Sequence, residues 1–401
     1  MRINKKCMVV GVTLALGASA AQAVDFGVFG DVNYRGFDKA NRTRDHRLSN
    51  TFAQGQFDLY GTQKIDPKTK AFFELVFEDG GDGYGVDLER LYISRDLTSN
   101  FAISAGRFHT PLGYWNTAYH HGAILQDTIS RPTFLNFEDG YGALIPMHMI
   151  GIMGTGKIST ASGDLGYDVM LGNSTSVNTD GVAGAADSLT TAGVATNGQS
   201  TMDVNSTVDP SDKKVVGLKV SYKLSAVPLE LGAFVMNNPV VQSGSAGTMS
   251  VFGNTLTLPD YGGDLVSQRV TGGHFRYATS KFDVLSEYYN LRDDSKVDSS
   301  GSHTANAYFI QLGYHVTDEW KAIYRYENVD YSKDDAYFKI MGTEKGARHI
   351  VDLRYDISDT NALKIEVGRF ETANSGAANV NNTGYNKSYT FYALQWAFMM
   401  L

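Results

Sequence analysis

His120 and His121 stand side by side in a stretch that also holds His109, Asp127, Ser130, Arg131 and His148. Neutral imidazole is a common ligand for first-row transition metals. His120 and His121, with Asp127 or His148 as a further ligand, are therefore a candidate metal set. Against this, adjacent side chains on an extended chain point apart, so two neighbouring imidazoles seldom reach one ion. The expectation is that no metal is bound. Ser130, His121 and Asp127 are the residue types of a hydrolytic triad, but nothing in their spacing sets a base against a nucleophile. No catalytic residue is expected, and the chain is not expected to be an enzyme. Glu78, Asp79, Asp82 and Asp87, with glycines among them, match no EF-hand spacing and read as a solvated acidic loop. Cys7 is the single cysteine, and there is no Cys-x-x-Cys-His, so neither a disulfide nor a covalently attached haem is available. No cofactor is expected.

The elements around these residues are more informative than the residues themselves. Segments of alternating polarity are separated by gaps that are short and long in turn. The short ones are Ile65 to Lys70, Asp96 to Asn100, Thr160 to Gly163, Ser225 to Pro228, Thr317 to Glu319 and Ser358 to Asn361. The long ones include His109 to Pro146, Asn173 to Asp212 and Asn238 to Gly263. A soluble sandwich has no reason to collect its long loops on one rim, whereas a transmembrane β-barrel does. The segments number about sixteen, with 14 or 18 as alternatives, and run roughly ten residues each, enough to cross a bilayer when tilted. The Val216, Leu218, Val220, Tyr222, Leu224 and the Tyr308, Ile310, Leu312, Tyr314, Val316 stripes face one way. Lys219, Ser221, Gln311 and His315 face the other. The fold predicted is an all-β antiparallel barrel, apolar toward lipid and polar toward a lumen. All eight prolines are read as lying in or beside the gaps, outside strand interiors.

The first 23 residues read as a cleaved secretory signal. Arg2, Lys5 and Lys6 precede an apolar Met8 to Leu16, and Ala21-Gln22-Ala23 is a small-x-small site. Residues 24–401 then form one barrel domain. Losing three positive charges takes the net charge from −8 to about −11, which disfavours nucleic acid as a partner. Tyr is the commonest aromatic, as interfacial girdles require. Tyr392, Leu394, Trp396 and Phe398 share one face of the last segment. That segment resembles the C-terminal strand by which outer-membrane barrels are recognised for assembly, although Met399, Met400 and Leu401 follow the aromatic end.

The long gaps differ in kind. His109 to Pro146 carries Tyr114, Trp115, Tyr119, Phe134, Phe137 and Tyr141, and is expected to fold inward against the barrel wall. Asn173 to Asp212 has no aromatic, Lys or Arg and reads as a mobile surface loop.

The run Ala105-Gly106-Arg107-Phe108-His109-Thr110-Pro111-Leu112-Gly113 resembles the strand end before the third loop of Gram-negative general porins. Asn136-Phe137-Glu138-Asp139-Gly140-Tyr141-Gly142 is similar to the acidic tip of their constriction loop. The resemblance implies a bacterial outer-membrane channel for passive diffusion of small hydrophilic solutes, surrounded by outer-membrane lipid and lipopolysaccharide and often assembled as a homotrimer. It implies constriction residues His109, Tyr114, Trp115, His120, His121, Asp127, Arg131, Glu138 and Asp139 on the loop. Arg90, Arg276, Arg325, Arg348 and Arg354 on the wall would face them. The alternative is that these are ordinary lumen residues paired with Glu74, Asp283, Glu287, Glu327 and Asp352. Arg107 and Arg369 fall outward by strict alternation, so each either lies at the outer rim or is turned inward by a bulge. Two rival functions are an insulating sheath for a periplasmic cytochrome and an outer-membrane hydrolase.

Overall fold

A computed structural model describes residues 24–37, 50–79, 84–136, 144–180, 201–203, 208–251, 254–341, 345–372 and 388–400. Sixteen strands close into one antiparallel barrel. In chain order the first seven are β1 (Asp25–Phe37), β2 (Thr51–Asp66), β3 (Thr69–Asp79), β4 (Tyr84–Thr98), β5 (Phe101–His109), β6 (His148–Thr160) and β7 (Gly163–Asn173). Two short strands, β8 (Thr175–Asn178) and β9 (Thr201–Asp203), lie outside the barrel count. The wall resumes with β10 (Lys214–Leu224) and β11 (Leu229–Gln242). It is interrupted by a separate hairpin, β12 (Gly247–Val251) and β13 (Asn254–Leu258). It finishes with β14 (Asp264–Ala278), β15 (Phe282–Ser295), β16 (Ser302–His315), β17 (Trp320–Asp330), β18 (Gly346–Ser358), β19 (Asn361–Thr372) and β20 (Ser388–Met400). β20 pairs with β1 from Val28↔Met400 to Phe37↔Phe391, which leaves no open edge.

The predicted alternation is present, and its sense is the membrane one. Val216, Leu218, Val220, Tyr308, Ile310, Leu312, Tyr314, Leu394 and Trp396 are all exposed on the outer surface. Glu74, Lys219, Gln311 and Asp352, on the opposite faces of their strands, are buried inside. Large apolar side chains exposed on every strand face would be a liability in water, but lipid is their solvent. Seven tight turns join the strands at one rim. Six lie where the sequence places them. The seventh, between Ala278 and Phe282, is closed by Thr279 Oγ1, which accepts from the Phe282 N–H at 2.8 Å.

Two expectations are corrected. Pro239 lies inside β11, not in a gap. It is tolerated because pairing to β10 stops at Asn237, so position 239 completes ladder bonds only on its β14 side. The 173–212 stretch is not loop throughout, since β8 adds in parallel to β11 at Val240–Gln242 and pairs with β9. Val177 and Met202 are buried there, and one apolar side chain in each short strand suffices to seat it. Residues 181–200 and 204–207 of that stretch lie outside the described residues, as do residues 1–23, the expected signal. Met399 and Met400, which follow the aromatic Phe398, are strand residues in register with β1.

The loop after β17 folds back as the short helix α2 (Ala336–Met341), all of whose residues are buried. Tyr337 Oη donates to the Leu144 carbonyl at 2.7 Å, joining this loop to the end of the third outward loop. Asp335 caps the helix, accepting from the Tyr337 N–H at 2.9 Å. Burial pushes the Asp335 carboxyl up from 3.8 to about 6, against the lowering effect of that N–H, and its side chain hydrogen-bonds Asp293. A buried acid that keeps its proton in the folded state favours folding below its unfolded pKa. That contribution is lost as pH rises through the folded value. The contact of α2 with the wall is therefore expected to loosen between about pH 4 and pH 6 or just above. Hydrogen exchange at Tyr337–Met341 should be faster at pH 7.5 than at pH 5 after correction for intrinsic rate, and Asp335→Asn should abolish the difference.

Candidate functional site

The described residues between β5 and β6, 110–136 and 144–147, run inside the barrel, and the wall holds them by their backbone. Glu287 on β15 accepts from the N–H of Tyr114 at 2.7 Å and of Trp115 at 2.5 Å. Glu366 on β19 accepts from Ile129 at 2.9 Å and Ser130 at 3.0 Å. Glu327 on β17 takes the Thr133 N–H at 2.5 Å, and Asp58 on β2 takes that of Gly122 at 3.3 Å. Wall cations satisfy the loop carbonyls in the same way. Lys364 donates to Ala123, Arg354 to Gln126 at 2.9 Å, and Arg325 to Ser130 at 2.9 Å. A loop has no ladder to pair its own N–H and C=O groups, so burying it requires partners of this kind. Charged partners are the strong form of such a bond.

Apolar packing completes the fit. Leu112, Trp115, Phe134 and Leu135 are buried with Phe234, Leu285, Tyr289 and Phe309 of the wall. Phe134 meets Tyr289 edge-on at 5.6 Å. Inward Phe and Tyr on β11, β15 and β16 break the polar lumen pattern where the loop lies. Burying a Leu or Phe side chain contributes about 1.5–3 kcal/mol. Two glycines permit the path. Gly113 (φ 68) and Gly122 (φ 84) adopt left-handed backbone, and a Cβ would strike Glu287 and Tyr289 at the first and Phe29 at the second.

The structure gives the described pore-charge candidates protein partners and buries four of them, Arg325, His109, His120 and His121. Arg325 has no exposed surface and bonds Thr128, Ser130 and Glu327. Asp127 is bound by Lys321 at 2.8 Å and by Gln311 at 3.1 Å. Burial alone would raise its pKa, but Lys321, Arg354 and Lys364 hold the carboxyl below its usual range. Arg354 pairs with Asp356 at 2.7 Å as well as with the loop. Arg90 pairs with Glu74 at 2.6 Å and lies over Phe72. Arg276 lies over Tyr114, Arg348 over Phe370 and Phe391, and Arg131 over Trp115. Trp115, His109, His120 and His121 are buried between the loop and the wall. Tyr114 is half-buried. Glu138 and Asp139 lie outside the described residues. The alternative pairing holds for Arg90–Glu74 and Arg325–Glu327, while Glu287 caps the loop instead. Lys321, Lys364, Glu366 and Asp58 belong to no motif; strict alternation on β2, β17 and β19 is the sequence signal that points them inward.

Arg107 and Arg369 resolve in opposite ways. Arg369 is exposed at the outer rim beside Glu371. Arg107 is buried, donating to the Glu89 carbonyl at 2.8 Å, just after Gly106, whose φ is positive at 135. A bulge in β4 opposite Glu74/Leu75 turns Glu89 and Arg90 both inward, leaving Leu88 and Leu91 outside.

Beside Glu89 lie four imidazoles. His109 and His148 face each other as a cross-strand pair at the two roots of the loop. His120 and His121 come to them from the loop itself. The chain is not extended there: α1 (Trp115–Ala118) precedes the pair and left-handed Gly122 follows it, so both rings turn to one side. The expectation that they point apart is thereby corrected. Burial, then the neighbouring imidazoles and Arg131, hold His120 well below the usual histidine range, so it is neutral.

A model of the Gram-negative porin family matches residues 8–375. The chain belongs to the Gram-negative porin family. This porin is an outer-membrane channel for passive diffusion. Among solved structures, OmpT of Vibrio cholerae is 13% identical with a TM-score of 0.56, covering 96% of this porin and 99% of that chain. The outer membrane channel DcaP of Acinetobacter baumannii is 10% identical with a TM-score of 0.55, covering 96% and 100%. An anion-selective porin from Comamonas acidovorans is 15% identical with a TM-score of 0.54, covering 94% and 99%. A further OmpT structure, folded in vitro, is described as a trimer form. At these identities the likeness is one of fold. No curated protein sequence matches this porin significantly.

Proposed function

We propose that the segment from Thr110 to Met147 is the constriction of this channel, and that it filters small hydrophilic solutes by size and charge without bond chemistry. The observation that carries this is the attachment of its backbone to the inner wall through Glu287, Glu327 and Glu366. A loop so bound narrows the lumen and keeps its shape. Homotrimer assembly is part of the proposal, consistent with the trimer form of the Vibrio cholerae relative.

The rival functions fit less well. A sheath for a cytochrome needs an open lumen, and the loop occupies it. In the hydrolase reading, Ser130 Oγ accepts from Arg325, Asp127 is bound by Lys321 and Gln311, and His121 lies 3.3 Å from Glu89. These side chains are engaged with other partners and do not line up as nucleophile, base and orienting acid.

The test uses Arg131→Cys, a half-buried loop position, in a chain whose single cysteine, Cys7, precedes the described residues. In planar bilayers, cationic and anionic thiol reagents should each lower conductance and should shift the reversal potential in opposite directions. Unchanged conductance after complete labelling would place the constriction elsewhere.

A further inference from the structure

We propose that His109, His120, His121 and His148 form a binding site for one divalent first-row transition-metal ion, with Zn2+ the best match, which ties the middle of the loop to its own roots. The inference goes beyond the channel reading and does not depend on it.

The geometry is that of a four-coordinate nitrogen site. One ligand nitrogen from each ring can be chosen so that all four lie within 4.8 Å of one another. The six ring-centroid separations run from 4.4 Å for His120–His121 to 6.2 Å for His121–His148. The other four, at 4.6, 5.6, 5.1 and 4.7 Å, lie between. A tetrahedral ion bound at about 2.1 Å by four imidazoles sets the ring centroids about 5.2 Å apart, in the middle of that range, and the nitrogens about 3.4 Å apart. Closing the site takes a contraction of about 1 Å in the widest pair and a spreading of about 0.8 Å in the narrowest.

Burial points the same way. All four rings are less than a tenth exposed, and His109 Nε2 has no hydrogen-bond partner among the described residues. Buried imidazole nitrogens without a donor or acceptor are uncommon unless something else fills the space between them. Four imidazoles from three separate segments seldom converge for packing alone. The surroundings supply the outer contacts that metal-binding histidines use. Glu89 lies 2.8 Å from His148 Nε2 and 3.3 Å from His121 Nε2, and Arg107 in turn holds Glu89. Carboxylates in this position orient ligand imidazoles and raise their basicity. An all-nitrogen set without thiolate selects for zinc, copper or nickel over calcium or magnesium.

The test is made on the folded, full-length barrel in detergent. The protein is stripped with EDTA, exposed to Zn2+ and desalted, and its metal content is read by mass spectrometry. About one Zn2+ per chain is expected, falling to below about a tenth in a His120→Ala/His121→Ala variant. Glu89→Gln should weaken binding about 10- to 100-fold. Should the double variant not fold, Co2+ added to the wild-type protein decides, since a tetrahedral nitrogen site gives intense visible d–d bands that octahedral binding does not. Equal zinc in wild type and a folded variant, or Co2+ without those bands, would overturn the site.

Discussion

Arg325→Ala should lower barrel stability by about 3–5 kcal/mol, the cost of leaving one member of a buried ion pair without its partner. Arg325 is fully enclosed. It donates to the carbonyl and hydroxyl oxygens of Ser130, to Thr128, and to Glu327 at 3.2 Å. Without it, Glu327 stays buried, and its remaining partner among the described residues is the Thr133 N–H of the same loop. The loop would lose its bonds at the Thr128 hydroxyl and at the Ser130 carbonyl and hydroxyl, and keep the N–H bonds of Ile129 and Ser130 to Glu366. Two readouts are expected to move together. The temperature at which the folded band converts in semi-native electrophoresis should drop, and open-channel conductance should rise and become noisier. Arg325→Lys should recover little, since an ammonium cannot reproduce a planar fork reaching Ser130, Thr128 and Glu327 at once. A variant as stable as wild type, with the same conductance, would show that the loop is held by packing alone.

The second large effect belongs to the carboxylates. Glu287→Ala removes the acceptor of two consecutive loop N–H groups and of Tyr289 Oη. Glu366→Ala removes that of Ile129 and Ser130. Hydrogen bonds to a charged group contribute about 1.5–3 kcal/mol each, and the buried N–H groups left behind carry a further penalty, so each substitution should cost at least about 3 kcal/mol. The two residues hold opposite ends of one loop segment. Their combined effect on conductance should therefore exceed either alone, while their stability costs add to less than the sum, because releasing one end already loosens the other. Single-channel recording and urea titration of the two single variants and the double variant would measure both. Strict additivity in both quantities would mean that the two ends are independent.

The metal site would add a third attachment. The loop meets its own roots at His109 and His148, on the wall segment opposite the carboxylates in sequence order. If an ion ties that end, chelation should change conductance in the same direction as Glu366→Ala.

How much of this was legible beforehand differs by residue. The barrel was, because a bilayer leaves the chain two choices for its backbone and a two-residue period for its side chains. Val216 to Leu224 and Tyr308 to Val316 can face lipid only as strands, and the alternating gap lengths fix which rim carries the loops. The inward course of the loop was legible too, from Trp115, Phe134 and their neighbours, since so much apolar surface does not stay in water. Pro239 and the strands β8 and β9 were not. Their conformation depends on where a neighbouring strand stops, and no local pattern records that.

The use of each charge was likewise a tertiary matter. Sequence alternation determined that Glu287, Arg325 and Arg354 point inward; it could not determine whether they would meet water or a loop 150 residues or more away. Contact decided that, and contact converts a pore charge into a backbone cap. The histidines show the same limit. His120 and His121 are adjacent in sequence, and on an extended chain they would diverge. The short helix before them and the left-handed Gly122 after them turn both rings toward His109 and His148. The sequence by itself determined a barrel with one loop built to fold inside it. Only the tertiary structure decided which side chains hold that loop, because the partners are brought together by barrel closure and not by neighbourhood in the chain.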